Sequence, residues 1–191
     1  MKTSRLEAFS DAVIAIIITI MVLEMEAPHT SSIEELVPLL PTLFAFAISF
    51  IILGIYWNNH HHLLHAVRKV NGKILWANLH LLFWLSLFPF VTGWVGHNLF
   101  AKIPTLFYGI VLLMAAIAYR ILIITIIKSE GKRSFISRYI GNDNKGKITI
   151  VIILLAILSS FFFPIVSMIL YLVITLIWIV PDRRIERNIK R

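Results

Sequence analysis

A carboxylate inside an otherwise apolar run is the first feature of this sequence that needs a chemical explanation. Asp11, with Ser10 before it, lies one to two turns into the first long hydrophobic stretch. An unpaired charge deep in a bilayer costs about 2.5–3.5 kcal/mol on insertion scales, so a residue kept there serves a buried pairing or a function. Arg5 is six residues away and is not a same-face neighbour at helical spacing, which sends the search for a partner to other segments. Trp57, Asn58, Asn59 and His60, at the end of the second stretch, and Trp76 and Asn78, at the start of the third, offer donors to a carboxylate and a hydroxyl at the same level.

Helical phase separates this polar pair from a second pattern. At about 100° per residue, Ala12, Ile16, Thr19 and Leu23 fall on one stripe. Asp11 sits about 140° from Ile16, and Ser10 about 120° the other way. If the pair fixes the helix to its neighbours, the stripe is left to meet symmetry mates or to line a pore. An ordinary buried helix seam has the same periodicity, and spacing alone does not separate the two.

The run His60, His61, His62 and His65 contains an i, i+4 pair, His61 and His65, with metal-ligand spacing. No carboxylate accompanies it along the chain, so no metal site is expected. The run reads as a helix end with one imidazole turned toward Ser10 and Asp11. Arg120, about two turns from the end of the fourth stretch, is placed to snorkel to the interface. Trp57, Trp76, Trp94, Tyr108 and Trp178 lie near stretch ends, where aromatic residues anchor to the membrane surface. Glu24, Glu26, Glu34 and Glu35 make the first loop acidic. Were the first helix to line a pore, Glu24 and Glu26 would ring its outer mouth and favour cations. There is no TVGYG-like filter, Arg-rich voltage sensor, P-loop or nucleotide fingerprint. No nucleophile or carboxylate pair stands at a catalytic spacing, so an enzyme is not expected.

The elements that must position these residues are transmembrane helices. Of 191 residues 59% are hydrophobic and 15% charged, with a mean hydropathy of +0.86, which a water-soluble domain could not bury. Apolar runs predict spans at about 8–25, 36–58, 74–95 and 104–127. The stretch 148–180 is too long for one span, and Ser159, Ser160 and Pro164 in its middle predict a hairpin, with spans at 148–163 and 164–180. Six helices in one domain of residues 1–191 place nearly every Lys and Arg on one side. Of the eighteen, only Lys102 and Arg120 fall outside the amino terminus, the second and fourth loops and the tail. By the positive-inside rule both termini are cytoplasmic. This topology accounts for the net charge of +8 without nucleic acid. The first stretch lacks the A-x-A-like cleavage site of a signal peptide and reads as a permanent helix. No motif is repeated between the first three spans and the last three. With no cysteine, disulfides and thiolate metal sites are excluded.

The segment Arg5-Leu-Glu-Ala-Phe9-Ser10-Asp11 resembles the R-x-x-x-F-S-D signature that opens helix one in the transmembrane protein 175 family of potassium channels. Trp57-Asn-Asn-His60 is similar to that family's W-x-x-H, Asn78-Leu79 to the start of its third helix, and Pro89 stands where that helix carries a proline. The likeness runs in order through the first three spans, and a single six-helix unit fits prokaryotic members. It implies a homotetramer in which helix one lines the central pore, with Ala12, Ile16, Thr19 and Leu23 facing the axis. Ile16 would be the narrowest ring and hydrophobic gate, and Ile16 with Thr19 would set selectivity without a carbonyl filter. Arg5, Phe9, Ser10, Asp11, Trp57, His60 and Asn78 would form the network anchoring the pore helix. The expected function is a potassium-permeable cation leak channel in a bacterial plasma membrane, with lipid as solvent, monovalent cations as permeant ions and no cofactor. The alternative is a proton channel or proton-coupled transporter using Asp11 and His60.

Overall fold

The computed structural model describes residues 3–28, 31–131 and 144–179. All regular structure among them is helical. Helix α1 (Thr3–Leu23) is followed by a 3-10 turn over Ile33–Leu39 that leads into α2 (Leu40–His65), then α3 (Gly72–Leu85), α4 (Phe88–His97), α5 (Lys102–Glu130), α6 (Asn144–Ser159) and α7 (Pro164–Ile179). Four stretches are long and apolar enough to cross a membrane: Thr3–Leu23, Ile33–His65, Gly72–His97 and Lys102–Glu130; Pro164–Ile179 is a shorter apolar helix. Isoleucine-rich segments such as α1 are mediocre helix formers in water, but in hydrocarbon the helix is what satisfies every main-chain group within one segment. Their hydroxyls follow the same rule: Ser10 donates to the Leu6 carbonyl, Thr19 to that of Ile16 and Thr125 to that of Ile121.

The structure revises two boundaries. The third span is not one helix, because α3 stops at Leu85 and α4 begins at Phe88 with Pro89 in its first turn. Proline has no N–H for the Leu85 carbonyl, so the helix is interrupted there and Ser86 caps α3 instead. The second helix runs on past Trp57 to His65 because His60, Leu63 and Leu64 are buried; packing, not hydropathy, sets its end. The stretch after residue 148 is divided, as its serines and proline suggest, by a turn at 160–163 between α6 and α7. Each of these helices has 16 residues, about 24 Å of rise against a hydrocarbon core of about 30 Å. The basic residues Lys132, Arg133 and Arg138 and those of the tail lie outside the described residues.

One apolar core runs through the bundle, with Ile14, Leu53, Leu81, Leu85, Ala115 and Leu122 all at 0% exposure. Helices α2 and α4 approach tightly at Gly96, where a Cβ would stand 2.5 Å from the Cα of Thr42; only glycine permits this approach. The loop between α2 and α3 is tied down by the far end of α5, whose Glu130 accepts the main-chain N–H groups of Arg68 and Lys69 at 3.0 and 3.4 Å.

Candidate pore helix and its anchor

Helix α1 has one committed face. Leu6, Ser10, Ile14, Ile17 and Met21 are its buried residues, recurring at intervals of three and four. The opposite face is open: Ala12, Ile16, Thr19 and Leu23 are all exposed, Ile16 at 56% and Leu23 at 77%. Thr19 spends its proton on the Ile16 carbonyl at 2.9 Å, which leaves the oxygen's lone pairs as acceptors on that open face.

The buried face is fixed by a directional chain. The ring of His60 donates from Nε2 to Asn78 Oδ1 at 2.6 Å, Asn78 Nδ2 donates to Ser10 Oγ at 2.9 Å, and Ser10 Oγ donates to the Leu6 carbonyl at 2.9 Å. With Nε2 as the donor, Nδ1 of the neutral ring carries a lone pair, and that buried nitrogen has no hydrogen-bond partner. Ser10, His60 and Asn78 are each at 0% exposure, so three helices, α1, α2 and α3, are pinned at one buried point. Asp11 belongs to a separate, more exposed branch in which Trp57 Nε1 donates to its Oδ1 at 3.1 Å. Neither Asn58 nor Trp76 bonds to Asp11 among the described residues, and Asn59 is engaged through its carbonyl, which accepts from Tyr119.

Other residues singled out from sequence stand elsewhere. Arg5 and Phe9 are exposed on the open side of α1 and bond to no member of this chain of contacts among the described residues. Within one subunit the hydrogen bonds therefore link Ser10 with Asn78 and His60, and Asp11 with Trp57, without them. Glu24 leans against α4, its carboxylate 3.0 Å from where a Cβ of Gly93 would be, so it does not continue the open stripe. The helical phase already implied this, since Glu24 is 14 residues beyond Ser10 and falls on the Ser10 side. Glu26 is exposed. Tyr108 is not an interfacial anchor but a fully buried residue. Arg120 is half-buried and lines an apolar cleft with Tyr56, Tyr119, Thr149 and Trp178.

Two features were not anticipated. Ser49 Oγ lies 2.9 Å from Tyr108 Oη and accepts from Thr92 Oγ1 at 2.7 Å, joining α2, α4 and α5 through a second buried cluster. Glu7 approaches His61, with Oε1 2.9 Å from Nδ1; a carboxylate does accompany the histidine run, but it comes from another helix.

Comparison with known proteins agrees with this geometry. The family model for the endosomal/lysosomal potassium channel TMEM175 matches residues 5–89, the stretch that holds Ser10, Trp57, His60 and Asn78. A potassium channel of Chryseobacterium sp. (strain P1-3) is 54% identical over 190 residues, which cover 100% of this chain and 99% of that protein. The endosomal/lysosomal proton channel TMEM175 of Danio rerio is 28% identical over 121 residues, 61% of this chain and 22% of that one. Among solved structures, the lysosomal potassium-selective channel TMEM175 homolog from Chamaesiphon minutus superposes with a TM-score of 0.81 at 26% identity, covering 93% of this chain and 96% of that chain.

Proposed function

This chain belongs to the TMEM175 family of potassium channels, and we propose that it forms a homotetrameric potassium leak pathway lined by the open face of α1. The observation that carries this reading is the division of α1 into two faces. One is fastened through Ser10 to Asn78 and His60, and the other presents Ala12, Ile16, Thr19 and Leu23 with no cover from the rest of the subunit. Four copies meeting on that face enclose an axis ringed by Ile16, where apolar side chains narrow and dewet the path, and then by Thr19, whose lone pairs partly replace water around a passing cation. Side-chain rings of this kind hold an ion less rigidly than main-chain carbonyls, so discrimination among monovalent cations is modest. Glu26 remains available near the outer end of α1, whereas Glu24 is drawn aside to Gly93. The positive-inside pattern supports an orientation with the Ser10 end in the cytoplasm of a bacterial cell.

A proton route through Asp11 and His60 is the competing reading, and the zebrafish relative is named a proton channel. The bonding favours anchoring over relay. His60 and Asp11 lie on separate branches, and the chain from His60 passes through an amide and ends at a main-chain carbonyl, neither of which hands on a proton under ordinary conditions.

The test is flux into liposomes from purified protein under potassium, sodium and proton gradients, with native mass spectrometry for stoichiometry. Ile16→Asn should hydrate the constriction and raise potassium flux about tenfold or more, since removing an apolar barrier of about 1.4 kcal/mol is worth that factor. Unchanged flux in a normally assembled Ile16→Asn protein would remove Ile16 from the gate. A current that follows the proton gradient alone would favour the competing route.

A further inference from the structure

His61 takes no part in the hydrogen bonds around Ser10 or in the open stripe of α1, yet it meets two carboxylates. Glu7 and Asp11 are one turn apart on α1 and so project from one side of it. Opposite them on α2 stands His61, and one ligand atom from each of the three residues lies within 4.8 Å of the others. All three are partly buried. The closest pair, Glu7 Oε1 and His61 Nδ1, is 2.9 Å apart, although Nδ1 is buried without a hydrogen-bond partner. With its proton on Nε2, the neutral His61 ring leaves the Nδ1 lone pair beside a carboxylate oxygen, so both atoms can ligate one cation. Asp11 is oriented by the Trp57 indole at 3.1 Å, the kind of outer hydrogen bond that fixes metal-binding carboxylates. The His65 ring lies nearly parallel to that of His61 but 6.2 Å away between centroids, at 19°, and takes no part in the cluster.

We propose that Glu7, Asp11 and His61 bind one divalent cation of the zinc class and thereby clamp α1 to α2. An imidazole with two carboxylates suits Zn²⁺ or Co²⁺ better than Ca²⁺ or Mg²⁺, which take oxygen ligands alone. With bonds of about 2.0–2.2 Å, neighbouring ligand atoms of a tetrahedral site lie about 3.3–3.6 Å apart. The observed atoms, all within 4.8 Å of one another, lie around that spacing. Three protein ligands leave a fourth position for water. The site uses His61 with carboxylates of α1, not the His61 and His65 pair that spacing alone suggests.

The experiment is titration of metal-stripped full-length protein in detergent with Zn²⁺ by calorimetry, and with Co²⁺ by visible absorption. One Zn²⁺ per chain, a higher thermal midpoint on binding and Co²⁺ bands of mixed nitrogen and oxygen ligation are expected. Glu7→Gln and His61→Asn should each weaken Zn²⁺ binding about 100-fold or more, exceeding the usual effect of losing an outer-shell group, whereas His65→Asn should leave it unchanged. No Zn²⁺ uptake by the unmutated protein overturns the proposal. So does loss of binding in His65→Asn with retention in Glu7→Gln, or displacement of Zn²⁺ by equimolar Ca²⁺. Should a variant fail to fold, the Co²⁺ spectrum of the unmutated protein decides: bands with a nitrogen ligand support the site, and their absence overturns it.

Discussion

The two buried polar clusters do different jobs. The Ser10 cluster joins α1 to α2 and α3 through an amide and an imidazole, side chains with donors and acceptors in fixed directions. The Ser49 cluster joins α2, α4 and α5 through hydroxyls, and its link to α1 is a single weak contact, Thr92 Oγ1 to Met21 Sδ at 3.9 Å. Toward its other end α1 is thus held by shape, with Met21 buried and Glu24 against Gly93. Directional bonding fixes the rotation of α1 about its own axis, and with it which residues the open face presents. The scaffold of α2, α4 and α5 needs only cohesion, which hydroxyls able to turn toward several partners supply.

This contrast ranks three substitutions. Asn78→Leu leaves Ser10 and His60 buried without their shared partner and should cost about 2–6 kcal/mol, at about 1–3 for each stranded group. The expected readout is a large fall in the thermal midpoint together with loss of potassium flux from whatever still assembles. Were flux to survive in proportion to folded protein, the Ser10 cluster would be cohesion only, like its counterpart. Thr92→Val keeps the shape while removing one donor from a cluster in which Ser49 retains Tyr108, so a loss of about 1 kcal/mol is expected, with flux per folded channel unchanged. A change in flux per channel there would show that the scaffold also sets the pose of α1. Trp57→Phe removes one partner of the half-exposed Asp11 and should shift the midpoint least, by less than about 1 kcal/mol. A larger effect would mean that Asp11, not Ser10, is the principal tether.

Much of this architecture can be read in the sequence because the membrane makes polar residues conspicuous. Asp11 and Asn78 stand out in apolar surroundings, and the period of α1 separates Ser10 from Ile16 before any coordinate is known. The Ser49 cluster is silent for the opposite reason. Serine and threonine in a membrane helix usually bond back to their own helix, as Thr125 and Thr175 do here, so a hydroxyl that crosses to a neighbour carries no distinguishing mark. Tyr108 misleads in the same way, since tyrosine near a helix end usually meets the headgroups and this one is turned inward to Ser49. Glu7 is beyond sequence reading because its meeting with His61 depends on how two helices dock, not on the period of either. The break before Pro89 is half legible. The proline is visible, but whether it kinks a helix or divides it depends on the neighbours that satisfy the freed carbonyl groups.

The uneven fastening of α1 makes it a lever. Ser10 is the fulcrum, and Leu23 lies 13 residues away, an arm of about 20 Å at the rise of an α-helix. A tilt of about 5° at the fulcrum carries the far end about 1.7 Å sideways, while Ile16, less than half as far out, moves about 0.8 Å. Small torques applied beside Ser10 are in this way converted into displacements that grow along the open face.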